Sequence, residues 1–339
     1  MTTTDINAHA SGVLILGEVV GDAPLAIVPE MIALAKQVTS GSGGPVCVLL
    51  VGDVKQATVS GLISAGADRV YVAPSGPQNL YDSELWLDAV GAVLAGFKPL
   101  AVMAGHTSLG ADLAPRLALG CDLSIATGCE NVAVENGTLL ATRPCYGHKA
   151  REVLELRRLP AVVTVRARSA QPLEPEADRV GETVAVPVRY RDPATLPKVR
   201  FRTSEDRSDG PSLEQAKIVV AGGRGLGGPE GFDHLATLAD TLGGAVGASR
   251  VACDLGWCPR SWQIGLTGKT VTPNLYIAIG ISGASHHMAG CGNSGTILAI
   301  NNDPDAEIFK DARFGVVGDY KEIVPALVQQ LADLKARAA

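Results

Sequence analysis

Nowhere in this sequence do two cysteines stand in C-x-x-C spacing. The seven present, Cys47, Cys121, Cys129, Cys145, Cys253, Cys258 and Cys291, are odd in number and scattered. That pattern speaks against a zinc or iron–sulfur site and for reduced thiols in a cytoplasm. No run approaches the ~20 apolar residues a spanning helix needs. Met1 to Ser11 carries no basic stretch followed by an apolar one and is not arginine-rich, so neither a secretory nor a transit segment is expected, and a cytoplasmic location is. Basic residues are also in the minority: Lys+Arg 29 against Asp+Glu 35 gives a net charge of −6, which argues against a general nucleic-acid binder. Aromatics make up only 4%.

Small and aliphatic residues take their place. Hydrophobic residues reach 46% and glycines number 39. This mix suits an α/β protein with buried aliphatic strands and small residues at its turns. The chain of 339 residues is too long for one ordinary domain and suits two.

The first half alternates strand-like and helical stretches. Strands are expected at Val13–Val20, Val46–Val51, Arg69–Val72 and Pro99–Ala104, with helices at Leu25–Val38, Gln56–Ala65, Ser83–Ala95 and Leu109–Leu119. Such alternation predicts a parallel sheet covered on both faces. After Ser124 short β-rich runs follow, with a hairpin signal at Asn136-Gly137. Pro172 to Asp209 is rich in Pro, Glu, Arg and Asp and reads as a linker, with a short strand near Thr183–Tyr190 inside it. A second α/β unit begins at Lys217–Ala221 and closes with a helix over Tyr320–Leu334. The expected fold is therefore two doubly wound parallel-sheet domains. The first spans residues 1–200, linker from about 172 included, and the second 210–339. The second unit's ligand should lie at the C-terminal ends of its strands.

Four segments in that unit could carry chemistry. Gly223, Gly225 and Gly228 fit G-x-G-x-x-G after a strand, a spacing that lets backbone approach a pyrophosphate. A plain glycine-rich turn fits equally well. The next strand ends Gly247-Ala248-Ser249-Arg250, with a cation where an NAD enzyme places an acid for the ribose, so an ordinary NAD dehydrogenase is disfavoured. Gln263-Ile264-Gly265-Leu266-Thr267-Gly268-Lys269 offers small residues, a hydroxyl and free backbone N–H groups, as a cofactor loop or an exposed turn would. Gly280 to His287 follows a strand, and Ser282 could cap the next helix. Its adjacent histidines, His286 and His287, would point about 100° apart on a helix, so one facing a cofactor fits better than both holding a metal. Asn301 and Asp319 end the last two strands, where such residues read a ribose or simply make turns.

Taken in order, GGRGL, GASR, Q-x-G-x-TGK, LYIAIGISGA-x-x-H, AIN-x-DP and VVGD resemble the FAD domain of electron transfer flavoprotein alpha subunits. The resemblance runs from about Lys217 to Leu334. The N-terminal half is similar in layout, with Arg116 and Arg143-Pro144 in familiar positions, but more loosely. The resemblance implies a Rossmann-like FAD-binding domain at the C-terminus. Arg224 and Ser249 would lie along FAD and Arg250 over its isoalloxazine. Gln263 precedes Ile264, Gly265, Leu266 and Thr267, which would line the ring with the Thr267 hydroxyl near N5. Ser282, Gly283, Ala284, Ser285, His286 and His287 would wrap ring and phosphates, with His287 at the N1/O2 edge. Asn301 and Asp319 would hold the adenosine, with Tyr320 beside them.

The same resemblance implies a heterodimer with a beta subunit that carries AMP or, in bifurcating members, a second FAD. The N-terminal domain would pack against that subunit. Relatives often have Gln at the positions of Leu266 and His286, so this chain lacks one polar contact there and gains a titratable ring. An electron carrier between flavin dehydrogenases and a quinone oxidoreductase is expected, rather than a substrate-transforming enzyme. The alternatives are a bifurcating NADH-oxidising complex and a nucleotide-binding protein without redox chemistry.

Overall fold

The computed structural model describes residues 10–75, 81–146, 150–189, 213–214 and 216–338. The chain divides into two compact units, Met1–Arg200 and Phe201–Ala339.

In the first unit the chain runs β1 (Val13–Leu16), β2 (Val19–Val20), β3 (Ala23–Pro24), α1 (Ile27–Ser42), β4 (Val46–Val51), α2 (Gln56–Ser64), β5 (Arg69–Ala73), α3 (Ser83–Gly96), β6 (Ala101–Gly105) and α4 (Ser108–Gly120). It continues through β7 (Ile125–Cys129), β8 (Asn131–Glu135), β9 (Thr138–Cys145), β10 (Ala150–Leu156), β11 (Ala161–Val165) and β12 (Glu182–Ala185). Seven strands pair in parallel in the order β12-β5-β4-β1-β6-β11-β7. Central strands are apolar at every position but Thr164 because both faces are covered. Met31 of α1, Leu62 of α2 and Leu139 of β9 pack over one face, and Trp86 of α3 and Leu113 of α4 over the other.

β8, β9 and β10 form a separate antiparallel sheet. Asn136 and Gly137, at φ 50° and 78°, make the β8–β9 turn with the left-handed pair that its twist requires.

The expected linker needs correcting over its first part. Glu182–Ala185 adds to the sheet edge beside β5, and the Glu176 N–H donates to the Ser64 carbonyl at 2.9 Å. The charges that read as a solvated tether are used in ion pairs. Arg179 and Lys36 both reach Asp68, and Arg69 reaches Glu182. The remainder, 190–209, lies outside the described residues.

The second unit runs β13 (Ile218–Gly222), α5 (Gly231–Leu242), β14 (Ala245–Ala248), α6 (Arg250–Asp254), β15 (Leu275–Ile279), α7 (Ser285–Cys291), β16 (Thr296–Asn301), α8 (Ile308–Asp311), β17 (Phe314–Val317) and α9 (Tyr320–Ala338). Its parallel sheet has the order β14-β13-β15-β16-β17. α5 and α9 close one face around Leu235 and Val324, and the other centres on Tyr276 and Ile264. The chain is thus an α/β protein with a doubly wound parallel sheet in each unit. Among the described residues no helix is long and apolar enough to cross a membrane.

Candidate cofactor site

From β13 the chain crosses to β14 on one side; from β15 it crosses to β16 on the other. Their C-terminal ends therefore diverge, leaving a crevice at the switch point where doubly wound folds take ligands. A cleft of about 630 Å³ lies there. Ligand sites run to roughly 300–1,000 Å³.

Its floor is a contact between two turns. The Gly223 N–H donates to the Ile279 carbonyl and the Gly225 N–H to the Gly280 carbonyl, both at 2.9 Å. A Cβ on Gly223 would stand 2.3 Å from the Gly280 oxygen, and one on Gly225 2.7 Å from the Gly280 Cα. These glycines of the G-x-G-x-x-G motif let one strand end touch the other. A single turn of 3-10 helix over Arg224–Leu226 then leads towards α5.

The walls carry unsatisfied polar atoms. Among the described residues three buried side-chain polar atoms lack a hydrogen-bond partner. Two of them, Ser249 Oγ and His287 Nδ1, belong to residues that line this cleft. Ser249 precedes α6, yet its hydroxyl makes no capping bond. Gln263 Nε2 donates to Thr267 Oγ1 at 3.0 Å, which leaves the Thr267 hydroxyl proton free to donate elsewhere. Arg224 makes no ion pair among the described residues, whereas Arg250 is tied to Asp254 at 3.2 Å. Val251 and Leu266 also line the cleft, 45% and 64% exposed. Exposed aliphatic groups beside buried, unpartnered donors suit a ligand that is flat and apolar at one part and anionic at another.

The two histidines differ sharply. His286 is exposed, and His287 is 7% exposed. His287 Nε2 lies 2.8 Å from the hydroxyl of Tyr276, which is fully buried. With the Tyr276 O–H donating to Nε2, the ring's own proton sits on Nδ1. Burial pushes the imidazole pKa down to about 4, against the opposing pull of the Ile264 carbonyl. Burial therefore holds this ring neutral at neutral pH.

Of the residues expected from sequence, Arg224, Ser249, Arg250, Gln263, Ile264, Gly265, Leu266, Thr267, Ser282, Ala284, His286, His287 and Asn301 line the cleft. Gly283, Ser285, Asp319 and Tyr320 do not. Gly283, at φ +89°, packs its backbone against Ile308. Ser285 opens α7 behind Ala284, so Ser282 is not the cap; its carbonyl accepts the Ile308 N–H instead. The Asp319 carboxylate accepts the Lys321 N–H at the start of α9, and the buried Tyr320 hydroxyl donates to the Leu226 carbonyl at 2.8 Å. Asn301 holds two strand ends together, donating to the Ile281 carbonyl and accepting from the Asp303 N–H.

Sequence reasoning named Gly225, Gly280, Ile281, Asn302 and Asp303 only as parts of motifs and missed Val251 and Ala306 outright. Most directly follow strands, so strand order alone would have found them; Val251 carried no signal.

Fold and cleft together define a doubly wound α/β protein holding a dinucleotide-type cofactor at the switch point of its second sheet. The model of the electron transfer flavoprotein FAD-binding domain matches residues 212–292, and that of the electron transfer flavoprotein domain matches 17–189. The chain is 39% identical over 322 residues to the electron transfer flavoprotein subunit alpha of Bacillus subtilis, covering 95% of this chain and 98% of that one. It is 38% identical over 308 residues to the corresponding subunit of Thermoanaerobacterium thermosaccharolyticum, covering 90% and 93%. A Clostridium saccharobutylicum protein named FixB is 36% identical over 309 residues, covering 90% and 91%. The chain belongs to the electron transfer flavoprotein alpha-subunit family, and its cofactor is FAD.

Proposed function

We propose that this chain is one subunit of an electron shuttle that takes electrons from flavin dehydrogenases and delivers them to a quinone oxidoreductase. It works as a heterodimer with a beta subunit that carries AMP. The first unit, to about residue 200, is the platform for that subunit; the second holds FAD. What supports this most is the pair of buried, unpartnered atoms Ser249 Oγ and His287 Nδ1 in one cleft. Bound FAD supplies reversible redox chemistry that accepts electrons singly or in pairs.

The chain's own residues bind and tune it. The Arg224 and Arg250 guanidinium groups draw the anionic parts of the cofactor. Ser249 donates its hydroxyl proton, and Thr267 can do the same. His287 offers a neutral N–H donor, so its help to a polar ring edge does not vary between pH 6 and 8. Asn301 keeps the strand ends in register.

The test is co-expression with a beta-type partner, followed by flavin analysis and electron delivery assays. One FAD on this chain, reduced by a dehydrogenase and reoxidised by a quinone oxidoreductase, is expected. Turnover with NADH would move the assignment to a bifurcating complex, and a colourless heterodimer would remove the redox reading. Expressed alone, the chain should be flavin-poor.

A second outcome concerns Thr267. One hydrogen bond contributes about 0.5–1.5 kcal/mol net. Thr267→Ala should keep FAD at full occupancy while shifting its midpoint potential. An unchanged redox titration would take Thr267 out of the site.

A further inference from the structure

Helix α6 ends in a reversal that brings two thiols together. Gly256 has φ +75°, its N–H donates to the Cys253 carbonyl at 3.0 Å, and the Trp257 N–H reaches the Ala252 carbonyl at 3.1 Å. This pair of bonds is the Schellman closure of a helix. It turns the chain back so that Cys258 returns over the helix, and the Cys253 and Cys258 sulfurs stand 3.4 Å apart. The Cys253 S–H donates to the Pro259 carbonyl at 3.6 Å, which leaves the Cys258 S–H to point at the Cys253 sulfur. Both thiols are half-buried and reachable, whereas Cys47, Cys129 and Cys291 are buried. Among the described residues no third metal-ligating side chain joins them.

Their position connects them to the cofactor cleft. Ser249 and Arg250, just before the pair, line one part of it, and Gln263 to Thr267, just after, line another. A covalent link between Cys253 and Cys258 would close the turn that joins these two walls.

We propose that Cys253 and Cys258 form a reversible disulfide, with a hydroperoxide as oxidant, and that this staple slows loss of the cofactor. The second clause rests on the FAD reading above; the first does not. In the first step the peroxide O–O bond breaks, the terminal oxygen bonds to Cys253 Sγ as a sulfenic acid, and the other oxygen takes up the Cys253 thiol proton and leaves as water from hydrogen peroxide or as the alcohol from an organic hydroperoxide. Cys258 Sγ then attacks that sulfur. The S–S bond forms, the S–O bond breaks, and the hydroxyl leaves with the Cys258 proton as water. Both sulfurs are oxidised and both peroxide oxygens reduced.

Burial raises both thiol pKa values, that of Cys258 to about 12. The first step is therefore slow at neutral pH and quickens in alkali. The second is fast, because the attacking sulfur is already in contact, so sulfenic acid does not accumulate while both thiols are present.

The test treats the FAD-loaded heterodimer with graded hydrogen peroxide, alkylates the remaining free thiols and maps peptides by mass spectrometry. A Cys253–Cys258 crosslink lacking two hydrogens and reversed by dithiothreitol is expected before buried cysteines react. Cys258→Ser should leave a sulfenic acid on Cys253 that dimedone traps, and Cys253→Ser should leave Cys258 alkylatable. FAD release from the oxidised protein should slow by about threefold or more, as closing a short loop limits local opening. Free Cys253 and Cys258 after Cys121 has been oxidised would overturn the disulfide. A mapped crosslink with unchanged FAD release would overturn its hold on the cofactor. A starting protein without FAD would count against the proposed function instead, since the thiol map is read independently of it.

Discussion

Gly223→Ala is expected to strip the second unit of FAD. The added methyl would meet the Gly280 carbonyl oxygen at 2.3 Å, the Gly280 carbonyl carbon at 2.8 Å and the Ile281 side chain at 2.8 Å. Two of these neighbours are backbone, so relief by rotating a side chain is not open, and the turn must retreat by more than half an ångström. That turn ends β15, hydrogen-bonds to Gly223 and Gly225 across the gap, and lines the cleft. Overpacking costs typically about 1–3 kcal/mol, and a backbone neighbour puts this case at the upper end. If cofactor binding absorbs that cost, affinity falls by about a hundredfold. Gly91→Ala in α3 provides the opposite sign. Its Cβ would meet nothing within 4 Å, and alanine in a helix is favoured over glycine by about 0.5–1 kcal/mol. Flavin absorbance per chain and the thermal midpoint of both variants read this directly. A Gly223→Ala protein purified with full FAD would show that the two turns do not need their contact.

The sequence was most readable where elements were long and uniformly apolar. Val46–Val51 and Leu275–Ile279 announce buried parallel strands because both faces need the same residue type. Ala161–Val165 is apolar but for Thr164, yet its place beside β6, reached after three antiparallel strands, was not foreseen, because pairing across that insertion leaves no local mark. Glu182–Ala185 overlaps the short strand expected near Thr183–Tyr190, but its place was not legible: it is a largely exposed edge strand beside β5, tied by an ion pair from Glu182 to Arg69, 113 positions away, in a stretch whose composition resembles a tether. At the site, residue order identified most of the cleft wall. It did not separate a side chain facing the cleft from one facing the core. Tyr320 follows Asp319 at a strand end, and its hydroxyl donates to the Leu226 carbonyl. Tyr276 drew no notice as an apolar strand residue, although its hydroxyl decides which nitrogen of His287 carries the proton.

Acid should destabilise the second unit through that same histidine. His287 is folded with a pKa of about 4, pushed down chiefly by burial, against an unfolded value of ~6.5. Above pH ~6.5 neither state binds the proton and the group has no effect on the pH slope. Between ~6.5 and 4 the unfolded chain takes up a proton that the folded chain refuses, so stability falls with pH by about 1.4 kcal/mol per unit. Below 4 both states are protonated and the loss levels off at about 3 kcal/mol. Carboxylates add their own acid loss, and a variant without the imidazole separates the two. His287→Asn should be less stable than the parent at pH 7.5, since it loses a packed ring. Its denaturant midpoint should then fall less steeply in acid, so that the gap closes by about 3 kcal/mol at pH 4. Nitrogen-15 spectra of the imidazole provide an independent readout. The parent should show a neutral ring protonated on Nδ1 at pH 6, and Tyr276→Phe should lose that tautomer preference because the donor to Nε2 is gone. A charged His287 at pH 6, or parallel stability curves for parent and His287→Asn, would mean that water reaches this ring and that the cleft is wetter than its burial indicates.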